Sequence, residues 1–304
     1  MSDCPAIEKK PTKTFTFERV YVTVTPNGTK LIEWRLNRCF LFPGDILRFY
    51  VETAPSGGEW TRLNPADPIA NECVYVDDGQ YDCAMGNQWY YRVVANDGTR
   101  DYHSTPEPMY GVWNRHDWLI ARDVVRKEYL ALRKFTGTLG YLLKRREYGV
   151  ACTNPACLDW DTELPKISDC PLCFGTGFLR GYYDAIPYWV DFSAAESAKD
   201  VVQPFGTMDP TIRAVRCVAY PLLDTYDVWV DADKNLRYVI RKLKTAVEIR
   251  SKCLVYTGEF HELPHGRPEY KVPLDQAPIP SSDEPDGVVP AQGGWREGIN
   301  HVEW

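Results

Sequence analysis

Four cysteines within 22 residues, Cys152, Cys157, Cys170 and Cys173, constrain this chain more than any other feature. Their spacing, Cys-x4-Cys-x12-Cys-x2-Cys, gives two short cysteine hairpins joined by a link long enough to fold back. Zinc takes four thiolates in a tetrahedron, and two such hairpins facing each other supply them. Gly175 and Gly177 follow the second pair, where a tight knuckle needs the positive φ that glycine takes without steric cost. Two disulfides, or four ordinary thiols, are the competing reading. No histidine lies in the window, and four thiolates leave no open position for water. The predicted site is therefore a structural zinc staple with no catalytic role.

A chain of 304 residues with 44% apolar content has room for two or three domains with real cores. No apolar run reaches the length of a membrane span, so no membrane partner is expected. The start, Met1 to Pro5, lacks a basic region followed by an apolar stretch and reads as no secretory signal. Ten cysteines without such a signal point to metal before disulfides. Net charge of −7 speaks against nucleic-acid binding by the whole chain. From Arg115 to Tyr148, however, nine Lys/Arg face four Asp/Glu. Arg122, Arg126, Lys127, Arg133, Lys134, Lys144, Arg145 and Arg146 are read there either as a solvated face or as a basic surface for an acidic partner or DNA.

The chain divides into six expected segments: an extended arm (1–14), a β-sandwich (15–112), a helical segment (113–149), the four-cysteine ribbon (150–180), a small antiparallel β-barrel or sheet (181–272) and an extended arm (273–304). The overall class is mainly β and multidomain. Asn27-Gly28 between Val20–Val24 and Lys30–Trp34 is a strong hairpin signal. Short strands recur at turn-punctuated intervals to about residue 112, the pattern of a sandwich. In 115–147, Trp118, Val125, Tyr129, Leu132, Phe135, Leu139 and Leu142 recur at helical spacing, with a break or kink near Gly137 and Gly140. Strands follow at 213–219, 227–230, 237–240, 246–250, 254–256 and 270–272. The C-terminal arm carries Trp295 and Trp304 as candidate docking anchors.

Residues 15–112 resemble a fibronectin type III domain: Trp89–Ala95 is similar to its sixth strand, Trp34 stands in place of its buried second-strand tryptophan, and 47–63 match its third and fourth strands. Trp89 occupies the place where that family carries the tyrosine of its corner hydrogen bond. The resemblance implies a fold and no function.

No phosphate loop, dinucleotide fingerprint, zinc-protease or serine-hydrolase motif occurs, and no catalytic set can be assembled, so an enzyme is not expected. His261, Glu262 and His265 lie in a loop-like stretch without further ligands, and Asp231 with Asp233 reads as a turn in preference to a calcium site. Cys73 with Cys83, and Cys217 with Cys253, are possible disulfides, with buried free thiols as the competing reading. Cys170–Gly177 also matches one repeat of DnaJ-type chaperones, but the other repeats and the His-Pro-Asp are missing.

The order sandwich, basic helix, Cys-Pro-x-Cys-Phe-Gly-Thr-Gly ribbon, then Tyr226–Ile240 resembles virion proteins of tailed bacteriophages, those of the neck, collar or head-to-tail connector. It implies a structural protein assembled in the bacterial host cytoplasm into the virion, as a homo-oligomeric ring of six or twelve copies. Portal, adaptor or tail-completion proteins would be its neighbours, with DNA close by in the channel. The alternative is a non-catalytic accessory module of a host or extracellular protein that grips a protein or glycan.

Overall fold

A computed structural model describes residues 16–41, 46–79, 88–111, 114–154, 156–159, 162, 164–192 and 212–274. The arms at 1–14 and beyond 274, with Cys4, Cys83, Trp295 and Trp304, lie outside the described residues. The chain is mainly β, 47% strand, with one helix of 22 residues.

Two antiparallel sheets form the N-terminal half. β1 (Phe17–Val24) turns through Asn27-Gly28 into β2 (Lys30–Leu36), with Val24 opposite Lys30, and β6 (Val74–Asp77) flanks β2. In the other sheet β4 (Arg48–Pro55) lies between β5 (Thr61–Arg62) and β7 (Trp89–Asn96), and β7 also pairs with β8 (Asp101–His103) and β9 (Glu107–Pro108). A short β3 (Cys39–Leu41) stands apart from both. The period-2 pattern aims Ile32, Trp34 and Leu36 at the same core as Phe49, Val51, Tyr91 and Val93, and the rings of Trp34 and Phe49 lie 5.3 Å apart. The buried Tyr91 hydroxyl donates to the Asp77 carboxylate, linking the two sheets at their centre.

The helix α1 (Arg115–Ala131) starts where the Asn114 side chain accepts from the Asp117 N–H at 2.8 Å, a standard N-cap. It widens into a π turn over Leu132–Thr136 and stops at Gly137, whose N–H returns to the Leu132 carbonyl. Helical spacing predicted helix over 115–147, and here the structure differs. Residues Thr138–Leu143 form β10, an interior strand of a six-stranded sheet. The reason is visible at Gly140, where a Cβ would stand 2.2 Å from the Val230 carbonyl and 2.3 Å from the Trp229 ring. Glycine there lets the neighbouring strand close in, so tertiary packing overrides the periodicity.

That sheet runs β14 (Ile186–Val190), β10, β16 (Val228–Asp231), β17 (Arg237–Ile249), β18 (Lys252–Glu262), β15 (Ile212–Val218). It is a curled half-barrel. Its two edges meet at a single bridge, Asp191 with Arg216. Its faces are distinct. Leu142, Trp229 and Ile240 join the main core with the helix residues Trp118, Val125 and Leu132, while Tyr141, Leu143, Val230 and Val239 pack on the opposite side. Two expected strands, 237–240 and 246–250, are one long β17 interrupted by register shifts. The strand expected at 270–272 is instead a 3-10 turn, Pro268–Lys271, held by Arg237, which donates to the carbonyls of Glu269 and Val272. The main buried cluster is continuous from Val22 to Phe260, so the two β halves and the helix share one core.

Candidate metal centre

Between the halves lies the cysteine module, with β11 (Tyr148–Val150) leading in and β12 (Leu158–Asp159) and β13 (Leu164–Pro165) forming a two-residue hairpin. Its knuckles are closed by backbone bonds: Cys157 N–H to Asn154, Phe174 N–H to Cys170 and Thr176 N–H to Cys173. Gly175 and Gly177 have φ of 75° and 88°, as the knuckle requires, and a Cβ on Gly175 would stand 2.8 Å from the Ser168 carbonyl.

The four thiols converge. All Sγ atoms of Cys152, Cys157, Cys170 and Cys173 lie within 4.8 Å of one another, with Cys152–Cys170 at 3.6 Å and Cys157–Cys173 at 3.1 Å. A tetrahedral ion with metal–sulfur bonds of ~2.3 Å has sulfur–sulfur edges of roughly 3.8 Å, whereas a disulfide needs about 2.05 Å. All four are buried and none is disulfide-bonded, so the set could hold a metal ion. Soft thiolates suit zinc, copper(I) or iron–sulfur chemistry. Burial raises the Cys152 thiol to about 11 and lifts Cys157 as well. At Cys170 burial is outweighed by the backbone N–H groups of Leu172 and Cys173, which bring it down to about 6.

The module clamps the N-terminal half to the six-stranded sheet. β11 pairs in parallel with β3, Tyr148 opposite Cys39. Phe178 stacks on Phe40 at 4.7 Å, and Arg38 lies over Phe178 while donating to the Thr176 carbonyl at 3.0 Å. On the other side Phe174 meets Tyr182, within the cluster under Tyr141 and Leu143.

The basic residues do not form the single surface the sequence suggested. Arg126, Lys127 and Lys134 are exposed on the helix, and Arg122 and Arg133 half-buried. Lys144 and Arg146 are only 4% and 6% exposed, because they follow β10 into the interior. Lys144 donates to Glu33 at 2.5 Å and to the Leu222 carbonyl at 2.7 Å, with Asp224 at 3.5 Å. Arg146 donates to the Tyr182 carbonyl and Asn71. Arg145 is half-buried, and its backbone N–H donates to Asp227.

Glu33, Lys144, Asp224 and Asp227 line a cavity of about 280 Å³ between β2 and the six-stranded sheet. Glu33 also accepts from the Leu222 N–H, and Asp227 from the Asp224 N–H, so the group is a satisfied internal lock. Burial pushes the Asp227 carboxyl up to about 7 against the opposing pull of Lys144, with Asp224 adding to the rise. Unfolded, it titrates near ~3.9. The folded state therefore holds the extra proton between those values, and its contribution to stability fades as pH rises through 7. From pH 6 to 8 the loss is about 1.4 kcal/mol, or ~3 °C in Tm, and Asp227→Asn should flatten that slope. A variant with the wild-type slope would show that another group is responsible.

Other expected sites resolve simply. Cys73, Cys217 and Cys253 are free thiols, Cys83 lying outside the described residues. Cys217 faces Tyr256 in the β15–β18 register, three positions from Cys253, so this pair forms no disulfide. Burial lifts Cys39, Cys73 and Cys217 to about 12, which leaves them inert at neutral pH. Asp231 accepts from the backbone N–H groups of Asp233 and Lys234, a turn as expected. His261 sits on β18 and His265 against the Tyr270 ring, and the four cysteines are the only metal-type cluster among the described residues. No described helix is long and apolar enough to cross a membrane. The Glu33–Lys144 pair gave no signal in the sequence, since its partners are far apart along the chain.

No protein-family model matches the chain, and no curated protein sequence matches it.

Proposed function

We propose that the chain is a structural virion protein of a tailed phage, a multi-copy ring component of the neck, collar or head-to-tail connector, stapled by one zinc ion. The observation that carries the reading is the closed four-thiolate centre: it has no open ligand position, and its contacts run to both β halves. Such a site fixes shape, which is what a part repeated around a ring needs. The fibronectin type III reading of 15–112 is supported by Trp34, buried on β2, and by the pairing of β7 with β4. The ribbon reading of 150–180 is supported by the two knuckles around the cysteines.

The test is native mass spectrometry of the purified full-length chain. A closed ring of six or twelve copies with one zinc per copy is the expected result. A chain that stays monomeric at every concentration and binds a glycan or a peptide would overturn the reading in favour of an accessory binding module.

A further inference from the structure

Ten large apolar side chains are conspicuously exposed among the described residues, and seven of them fall on two surfaces. The first is the outer face of the helix, where Leu119, Ile120 and Phe135 are 41%, 43% and 83% exposed. The second is the cysteine module, where Leu164, Ile167, Leu172 and Leu179 are 37–56% exposed. Leu172 and Leu179 stand side by side, because the Arg180 N–H donates to the Leu172 carbonyl. Scattered apolar residues need no explanation, but two clusters on an otherwise closed core do.

The two surfaces lie on opposite sides of the six-stranded sheet. The helix packs on the face of Leu142 and Trp229, and the module packs through Phe174 and Tyr182 on the face of Tyr141 and Leu143. Their charges are also opposite. The exposed helix face presents Arg115, Arg126, Lys127 and Lys134 against Asp123. The stretch 150–180 has four acidic residues against two basic ones, and a divalent ion on four thiolates adds two further negative charges.

We propose that the helix face of one copy seats on the cysteine module of the next, a head-to-tail contact between copies of this chain. The inference rests on the ring reading above and specifies its interface. Apolar anchors meet apolar anchors, and the basic rim meets an acidic one, which fixes partner and orientation. Because the two surfaces differ and face opposite ways, the contact is heterologous and leaves one of each free on any open oligomer. Only a closed ring uses them all.

The test uses the full-length, metal-loaded chain and two double variants, Ile120→Glu with Phe135→Glu, and Leu172→Glu with Leu179→Glu. All four positions are exposed, so circular dichroism and metal content should match wild type. If metal content falls in the second variant, Leu164→Glu replaces it at a position outside the knuckle. Each variant alone should lose self-association by at least about 100-fold. An equimolar mixture should form a heterodimer and nothing larger, since only one working contact can be assembled. Rings of wild-type size from either variant would overturn the interface and leave the ring reading standing. Homodimers in place of the heterodimer would overturn head-to-tail geometry. A wild-type chain that is monomeric at ~100 μM, with a monomeric mixture, would overturn both.

Discussion

Removing the metal, by chelation or by Cys157→Ser, is expected to unfasten residues 148–183 while the two β halves keep their own strands. Cys157 is fully buried among the other three thiols, so serine leaves a hole in the donor set that no nearby side chain fills. Structural zinc in small modules binds with on the order of 10 kcal/mol, and the knuckles have little else to order them. The module's own strands are two or three residues long, and its buried cluster is the four cysteines themselves. Metal content should fall from one per chain to below ~0.1. Amide hydrogen exchange should accelerate across 150–183 and in β3, whose only strand partner is β11, while β1, β2 and β15–β18 stay protected. Unchanged protection of 152–178 after chelation would remove the metal from the account, as would a mass loss matching two disulfides.

The second large effect belongs to Lys144→Met. Lys144 and Glu33 are each 5% exposed in their side chains and 2.5 Å apart. Methionine keeps most of the volume but leaves Glu33 buried without its cation and Asp224 without a neighbour. Breaking one side of a buried pair costs about 3–5 kcal/mol, enough to lower Tm by ~10 °C. Glu33→Leu combined with Lys144→Met should recover much of that loss, because the pair is replaced as a unit. Thermal unfolding of both variants decides the matter: equal Tm values for the single and double variant would show that packing, and not the stranded charge, sets the penalty.

Where interactions are local, the sequence was enough. The cysteine spacing, the glycines of the knuckle and the Asn27-Gly28 hairpin each act within a few residues, and the structure places all of them as expected. Residues 138–143 failed for a physical reason. Leu139 and Leu142 fit the helical period of the preceding stripe by coincidence, and what makes them a strand is the close approach of β16 over Gly140. Phe135 failed in the opposite sense: it fits the buried stripe, yet the π turn at the end of the helix rotates it into solvent. Lys144 and Arg146 were indistinguishable by composition from their exposed neighbours. Their partners, Glu33, Leu222 and Tyr182, are distant in sequence, so only the assembled fold reveals them.

A sheet packed on both faces also limits how the chain can drift in length. Trp229 belongs to one side and Val228 and Val230 to the other, so inserting or deleting a single residue within β16 would send the tryptophan toward the cysteine module and two valines toward the helix. Neither cavity has the shape for the exchange. Homologous chains should therefore vary freely in the connections around this sheet, yet hold constant the number of residues from Asp227 to Asp231 and from Thr138 to Leu143. That spacing is a marker of common descent that can outlast residue identity.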